Sequence, residues 1–248
     1  FGNRLYHCWK TNGHGKMDVT DAIKQSCDVF FYEISKKLGI DKIAKVAKDF
    51  GLGQTFDISM PNQKKGIVPS KKWKKTTLGE SWYAGETLIS GIGQGFVLTS
   101  PFQLAVMTSI IASNGKIIEP TILKRNNANF KNNDKYLNEI KIIKKAMFKV
   151  VNENKGTAFK SRLEDIKFAG KTGTSQVRSI SLAERESDEF RKKEQEWKNR
   201  DHALFVGYMP YDDPQYAISV IIEHGGSGAS TAAPIAKQVF NYIQKLNL

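Results

Sequence analysis

Along this chain the spacing of apolar residues changes once, near Phe168, from a helical period to a strand period. Ahead of that point, residues 18–25 read as a capped helix, with Asp18 or Thr20 able to accept from the free N–H groups of its first turn. A second helix runs from about Phe30 to Leu38 and stops at Gly39. A third, over residues 41–50, places Ile43, Val46, Ala47 and Phe50 on one face, with Gly51 as its stop. Residues 52–89 are rich in glycine, lysine and tryptophan and predict irregular structure. The nearly all-apolar segment 101–112 predicts a buried helix, 126–138 a polar loop, and 139–153 a helix through Ile143, Met147, Val150 and Val151.

Beyond Phe168 the pattern predicts strands over residues 168–176, 202–208 and 216–223. Asp212-Asp213-Pro214 supplies the turn that pairs the last two as an antiparallel hairpin. Residues 230–246 predict a closing amphipathic helix with Ile235, Val239, Tyr242, Ile243 and Leu246 inward. Helices first, then an antiparallel sheet with a helix on its face, is an α+β architecture. Residues 178–200 join the first two strands and carry charges of both signs. Leu182, Phe190 and Trp197 recur there at near-heptad spacing, so the segment reads as a short helix or a solvated flap, placed where a lid would be.

Composition changes little. The 248 residues are 40% hydrophobic and 25% charged, enough for one domain with a sizeable core. No apolar run approaches the roughly 20 residues that span a bilayer, and no signal-peptide pattern opens the chain. The net charge of +13 invites a nucleic-acid reading, but the lysines are scattered, with no basic helix of base-reading side chains and no stacking aromatics. A basic surface equally suits an anionic bilayer or cell-wall polymer, or plain solvated faces.

Chemistry enters at Lys171-Thr172-Gly173-Thr174, a strand edge carrying a cation, a hydroxyl and a glycine in a row. Alternation sends Lys171 and Gly173 one way and Thr172 the other. Gly173 leaves room for a backbone alongside, and the Thr174 N–H can be offered to a developing oxyanion. By itself the triplet also fits an edge strand with an exposed lysine. Upstream, Ser26-Cys27-Asp28 puts a hydroxyl and a carboxylate two residues apart at the start of a dense apolar segment. Ser90-Gly91-Ile92-Gly93-Gln94-Gly95 lacks dinucleotide-loop spacing; its glycines permit a tight loop, and Thr99 or Ser100 with Pro101 starts a helix.

In this order the three stretches resemble penicillin-binding transpeptidases: S-x-D early, G-I-G-Q-G followed by T-S-P-F-Q-L-A, and K-T-G late. Residues 66–73 and 203–210 are also similar, and the likeness is strongest to the elongation-type class B group, penicillin-binding protein 2. Asp28 stands where the general pattern has Asn. The resemblance implies the fold shared by these enzymes and serine β-lactamases, with residues 1–160 mainly helical and 161–248 strands plus a helix. It implies a D,D-transpeptidase that cross-links peptidoglycan stem peptides through a serine acyl-enzyme and is acylated by β-lactams. Ser26, Asp28 and Lys171 would be catalytic: Ser26 relaying a proton toward the leaving amine, Asp28 orienting it, Lys171 supplying positive potential. Thr172, Gly173 and Thr174 would bind substrate, the two hydroxyls taking its carboxylate. No catalytic cofactor is implied. Expected partners are MreC and a glycan-polymerising membrane protein of the elongation assembly. The expected location is the periplasmic face of the inner membrane, held by an N-terminal helix. A serine β-lactamase, or a non-catalytic β-lactam sensor or scaffold, are the alternatives.

One departure matters. The family's nucleophile lies in an S-x-x-K motif upstream of S-x-D, and none precedes Ser26. Ser113-Asn114-Gly115-Lys116 matches in letters only, because Asn-Gly is a turn dipeptide and the order is wrong. The expectation is a C-terminal part of the transpeptidase domain, beginning at Phe1 downstream of the nucleophile, without the N-terminal pedestal and inactive alone.

Cys8, His14 and Cys27 add a last question, since Cys27 is the middle residue of S-C-D. Two thiolates and an imidazole are three-quarters of a structural zinc site, the resemblance suggests zinc here, and an upstream Asp or Cys would complete it. A Cys8–Cys27 disulfide and two free thiols are the other readings. His7 is a weaker ligand candidate, crowded by its neighbour Cys8.

Overall fold

The structure, a computed structural model, describes residues 1–2, 5–124, 130–132, 134–178, 187 and 196–246. The expected α+β architecture is observed. Strands β3 (Ala169–Ser175), β4 (His202–Met209) and β5 (Tyr216–Ile222) form an antiparallel sheet in the order β3-β4-β5. Helix α8 (Ala233–Lys245) covers one face, α6 (Pro101–Ala112) packs against the other, and α7 (Leu137–Asn152) feeds both cores, Ile140 and Met147 joining α6 and Val150 and Val151 joining α8. Alternation along β4 builds both cores: Ala203, Phe205 and Met209 join Phe168 and Phe240 under α8, while Tyr208 joins Ile110, Ile140 and Met147. Phe168, Phe205 and Phe240 are fully buried, each contributing about 1.5–3 kcal/mol by leaving water.

The N-terminal helices are α1 (Val19–Gln25), α2 (Asp28–Leu38) and α3 (Ile40–Asp49). Asp18 caps α1, its side chain accepting from the Asp21 N–H. Ser100 caps α6 in a reciprocal box with Gln103.

Several expectations are corrected. Residues 52–89 are not irregular throughout, because α4 (Lys71–Leu78) and most of α5 (Ala84–Gly91) lie there. Their anchor is polar. Lys74, 1% exposed, pairs with Glu86 at 2.5 Å and Glu80 at 3.3 Å and lies over the Tyr83 and Phe96 rings, so a lysine run read as solvated holds a buried charge. The polar loop at 126–138 contains β2 (Phe130–Asn132), paired with β1 (Lys116–Ile118), and a 3₁₀ turn over Asp134–Tyr136. In α3 the buried line is Ile40 and Ala44, and Val46, about 200° round the helix from Ala44, is exposed. In α8 the seam is Ala233, Ala236 and Phe240 with Ile243 packed against it. Val239, Tyr242 and Leu246, one row round the helix, face outward. Small alanines win the sheet-facing row by letting the helix come close. A π-helical turn over Gly228–Ala232 precedes α8. Most of the charged segment 178–200, with Leu182 and Phe190, lies outside the described residues. No described helix is long and apolar enough to cross a membrane.

Candidate active site

Ser26 and Asp28 sit at the joint of two helices. Ser26 ends α1 in the left-handed region at φ 52°, Cys27 is the extended N-cap of α2, and Asp28 opens α2. The two-residue joint turns both side chains into a cavity of about 460 Å³, which Lys171, Thr172, Gly173 and Thr174 also line. Sequence-distant groups therefore converge. Lys171 Nζ donates to Ser26 Oγ and, at 2.8 Å, to the Thr172 carbonyl. Asp28 does not hold Ser26 directly: its Oδ2 accepts from the Trp9 N–H at 2.9 Å, while the Trp9 indole N–H donates to the Ser26 carbonyl at 2.8 Å. Trp9 thus couples carboxylate to serine, a role nothing local in the sequence announced.

Burial sets the charges. It lowers the Lys171 ammonium from 10.5 to about 8, against an opposing pull from Asp28. It raises the Asp28 carboxyl, outweighing the Trp9 N–H, which favours the anion.

β3 is an edge of its sheet among the described residues. Thr172 and Thr174 turn their carbonyls away from β4, toward Lys171 Nζ and Gln94 Nε2 (2.9 Å), and Gln176 turns its N–H to Gln94 Oε1. Because N–H and C=O of one strand residue point the same way, the Thr174 N–H also faces the open edge. The Thr172 hydroxyl lies 2.7 Å from that of Thr157, a second residue the sequence did not flag. The Thr174 hydroxyl accepts from the Gly228 N–H at 3.4 Å. The close backbone approach expected at Gly173 is real, but its strict demand falls on the partner: a Cβ on Gly228 would collide with the Gly173 and Leu204 carbonyls.

Beside the joint, the ligand atoms of Cys8, His14 and Cys27 lie within 4.8 Å of one another, with Cys8 Sγ 3.4 Å from His14 Nδ1. Both thiols are free rather than joined in a disulfide. His14 Nε2 is buried without a partner, and burial raises the Cys27 thiol and lowers the His14 imidazolium. His7 lines the active-site cavity instead. Ser113 ends α6 and Lys116 opens β1 across a turn with Asn114 at φ 58° and Gly115 at φ 89°, so that S-x-x-K shares no helical face.

Residues 2–241 match the family model described as penicillin binding protein transpeptidase domain. The peptidoglycan D,D-transpeptidase MrdA of Acinetobacter baumannii is 37% identical over 94% of this chain and 35% of its own length. That of Haemophilus influenzae is 35% identical over 96% and 38%. The chain therefore spans little more than a third of these relatives. Among solved structures, penicillin-binding protein PBP2 of Helicobacter pylori in complex with MreC is similar at a TM-score of 0.87, with 32% identity over 99% of this chain and 43% of that one. Pseudomonas aeruginosa PBP2 in complex with WCK 5153 gives 0.80, with 35% identity over 96% and 50%. The match from Gly2 to Asn241 carries every motif around the cavity, and the chain belongs to the penicillin-binding protein transpeptidase family.

Proposed function

We propose that this chain is the C-terminal part of a peptidoglycan D,D-transpeptidase domain of the elongation type, acting through a serine acyl-enzyme that β-lactams trap. The observation that carries the reading is Lys171 Nζ on Ser26 Oγ beside an open strand edge that presents the Thr174 N–H to the same cavity. The nucleophile is assigned to an S-x-x-K segment outside these 248 residues, as in the family pattern. Ser26 passes a proton toward the leaving amine, with Lys171 supplying it and Trp9 and Asp28 fixing the serine. Thr172 and Thr174 bind the terminal carboxylate, Gly173 leaves room for the peptide, and Thr174 N–H completes the oxyanion hole with the nucleophile's own N–H. Residues 1–160 and 161–248 are the two portions of one domain.

Three narrower assignments go with it. The protein works at the periplasmic face of the inner membrane behind an N-terminal anchor. It partners MreC and a glycan polymerase, consistent with the H. pylori complex. Cys8, His14 and Cys27 hold a structural zinc: their spacing and the partnerless His14 nitrogen fit the ion. When bound, the metal would tie the segment before S-C-D to the helix joint and supply no catalytic step.

The test is labelling of the full-length protein with a fluorescent penicillin. Lys171→Ala is expected to lose labelling by about a hundredfold or more; full labelling of that variant would sink the assignment. Stoichiometric labelling that stalls separates the transpeptidase from a β-lactamase, which turns over a chromogenic cephalosporin many times.

A further inference from the structure

We propose that Gln94 is a positioning residue of this site: its side-chain amide stands in for a neighbouring strand along β3 and so keeps the Thr174 N–H aimed into the cavity. The catalytic consequence rests on the transpeptidase reading above; the structural bridge does not.

The amide makes two bonds, Nε2 to the Thr174 carbonyl at 2.9 Å and Oε1 from the Gln176 N–H at 3.3 Å. Only one orientation of the amide satisfies both. Bridging the carbonyl of one residue and the N–H of the residue two further on is what a single residue of a parallel neighbour does. β3 ends at Ser175, so the bridge falls where an edge strand would otherwise fray. On its other side, among the described residues, this stretch pairs with β4 through Thr174–Ala203 and Ser175–His202.

The loop is built to deliver that side chain. Gln94 lies between Gly93 at φ 77° and Gly95 at φ 72°, both in the left-handed region that residues with a Cβ avoid. Its own N–H returns to the Ile89 carbonyl at 3.1 Å, closing the turn after α5. A Cβ on Gly95 would press on Ile89 at 3.1 Å. Beyond the turn, Leu98 and Ile67 exchange backbone bonds at 3.0 and 2.7 Å, fastening the far end of the loop. Two glycines and two anchors fix a half-buried glutamine whose amide reaches the catalytic strand.

Removing an oxyanion donor outright slows acyl transfer by about 10²–10³. Loss of the bridge leaves the donor present but badly aimed, so the expected loss is a fraction of that. In the full-length protein, Gln94→Ala should lower the first-order acylation constant for labelled penicillin by about tenfold or more. The pre-acylation Kd should stay within about threefold, because Gln94 acts through Thr174 and not on the ligand. Hydrogen exchange at the Gln176 amide should rise by about tenfold, with β4 amides unchanged. Gln94→Glu preserves size and the acceptor for Gln176 but sets an anion against the Thr174 carbonyl. It should retain Gln176 protection and still acylate slowly, and it carries the test if the alanine variant misfolds. Unchanged Gln176 exchange in the alanine variant, or lost protection in the glutamate variant if alanine misfolds, overturns the proposal. So does a change in Kd alone, which would make Gln94 a ligand contact, or faster acylation, which would make it a plug. If the unaltered protein is not acylated, the transpeptidase reading falls, and the exchange measurement still judges the bridge.

Discussion

At Lys171, burial and chemistry act on the same proton. The folded chain releases it near 8, whereas a solvated lysine holds it to 10.5. Between those values the unfolded state binds more protons, so this residue makes stability rise with pH across that window; below about 8 its buried charge is a standing cost. Catalysis runs the other way if the cation is what Ser26 and the substrate carboxylate need. The acylation rate should therefore fall as pH passes about 8, and Lys171→Arg, charged throughout, should lose that limb while keeping some activity. A profile for the unaltered protein that stays flat on both sides of pH 8 would remove Lys171 from the proton path. At this scale the sequence was legible wherever a residue announces its own chemistry. Ser26, Asp28, Lys171 and Thr174 converge as their motifs imply. Trp9 and Thr157 stayed hidden because each is defined by a partner far along the chain, Ser26 in one case and Thr172 in the other. Gln94 lay within a noticed motif, and the glycines on either side were its signal, but the strand it bridges is some 80 residues away.

Among elements, the sheet and α6 to α8 were readable because period and turn chemistry agree, as at Asp212-Asp213-Pro214. The helices α4 and α5 were not. Their organising contact is a buried ion pair, and a lysine-rich run gives no hint of which lysine goes inside. Glu86 both pairs with Lys74 and accepts from the Tyr83 N–H at 2.8 Å, so it closes the first turn of α5. Glu86→Ala leaves a buried ammonium with one longer, mostly exposed partner, Glu80 at 3.3 Å, and removing one member of a buried pair is strongly destabilising. We expect a melting temperature lower by several degrees. Because α5 leads into the Gln94 loop, faster exchange at the Gln176 amide should accompany it. An unchanged melt would mean that aromatic packing, not charge, holds the two helices together.

For the molecule as a whole, the Cys8, His14 and Cys27 cluster is one of the fastenings of the segment before α1 to the helix joint, beside the Trp9 bonds to Asp28, Gln25 and Ser26 and the packing of Tyr6 on Tyr32. If zinc is resident, a chelator should lower the melting temperature and slow acylation together, because the segment that carries Trp9 is the one released. Reductant should do nothing, as both thiols are free. A melt indifferent to chelator, with substoichiometric metal on elemental analysis, would end the zinc assignment. The open edge of β3 also has a consequence for handling the protein. A strand edge left unpaired among the described residues is available to the same strand of a second copy. What guards it is chemical rather than steric: a lysine at its centre, a glutamine across its end, and a net charge of +13 that keeps copies apart at low salt. Raising ionic strength removes the last of these guards, so self-association at high concentration should grow with salt, and a β-lactam seated along the edge should suppress it.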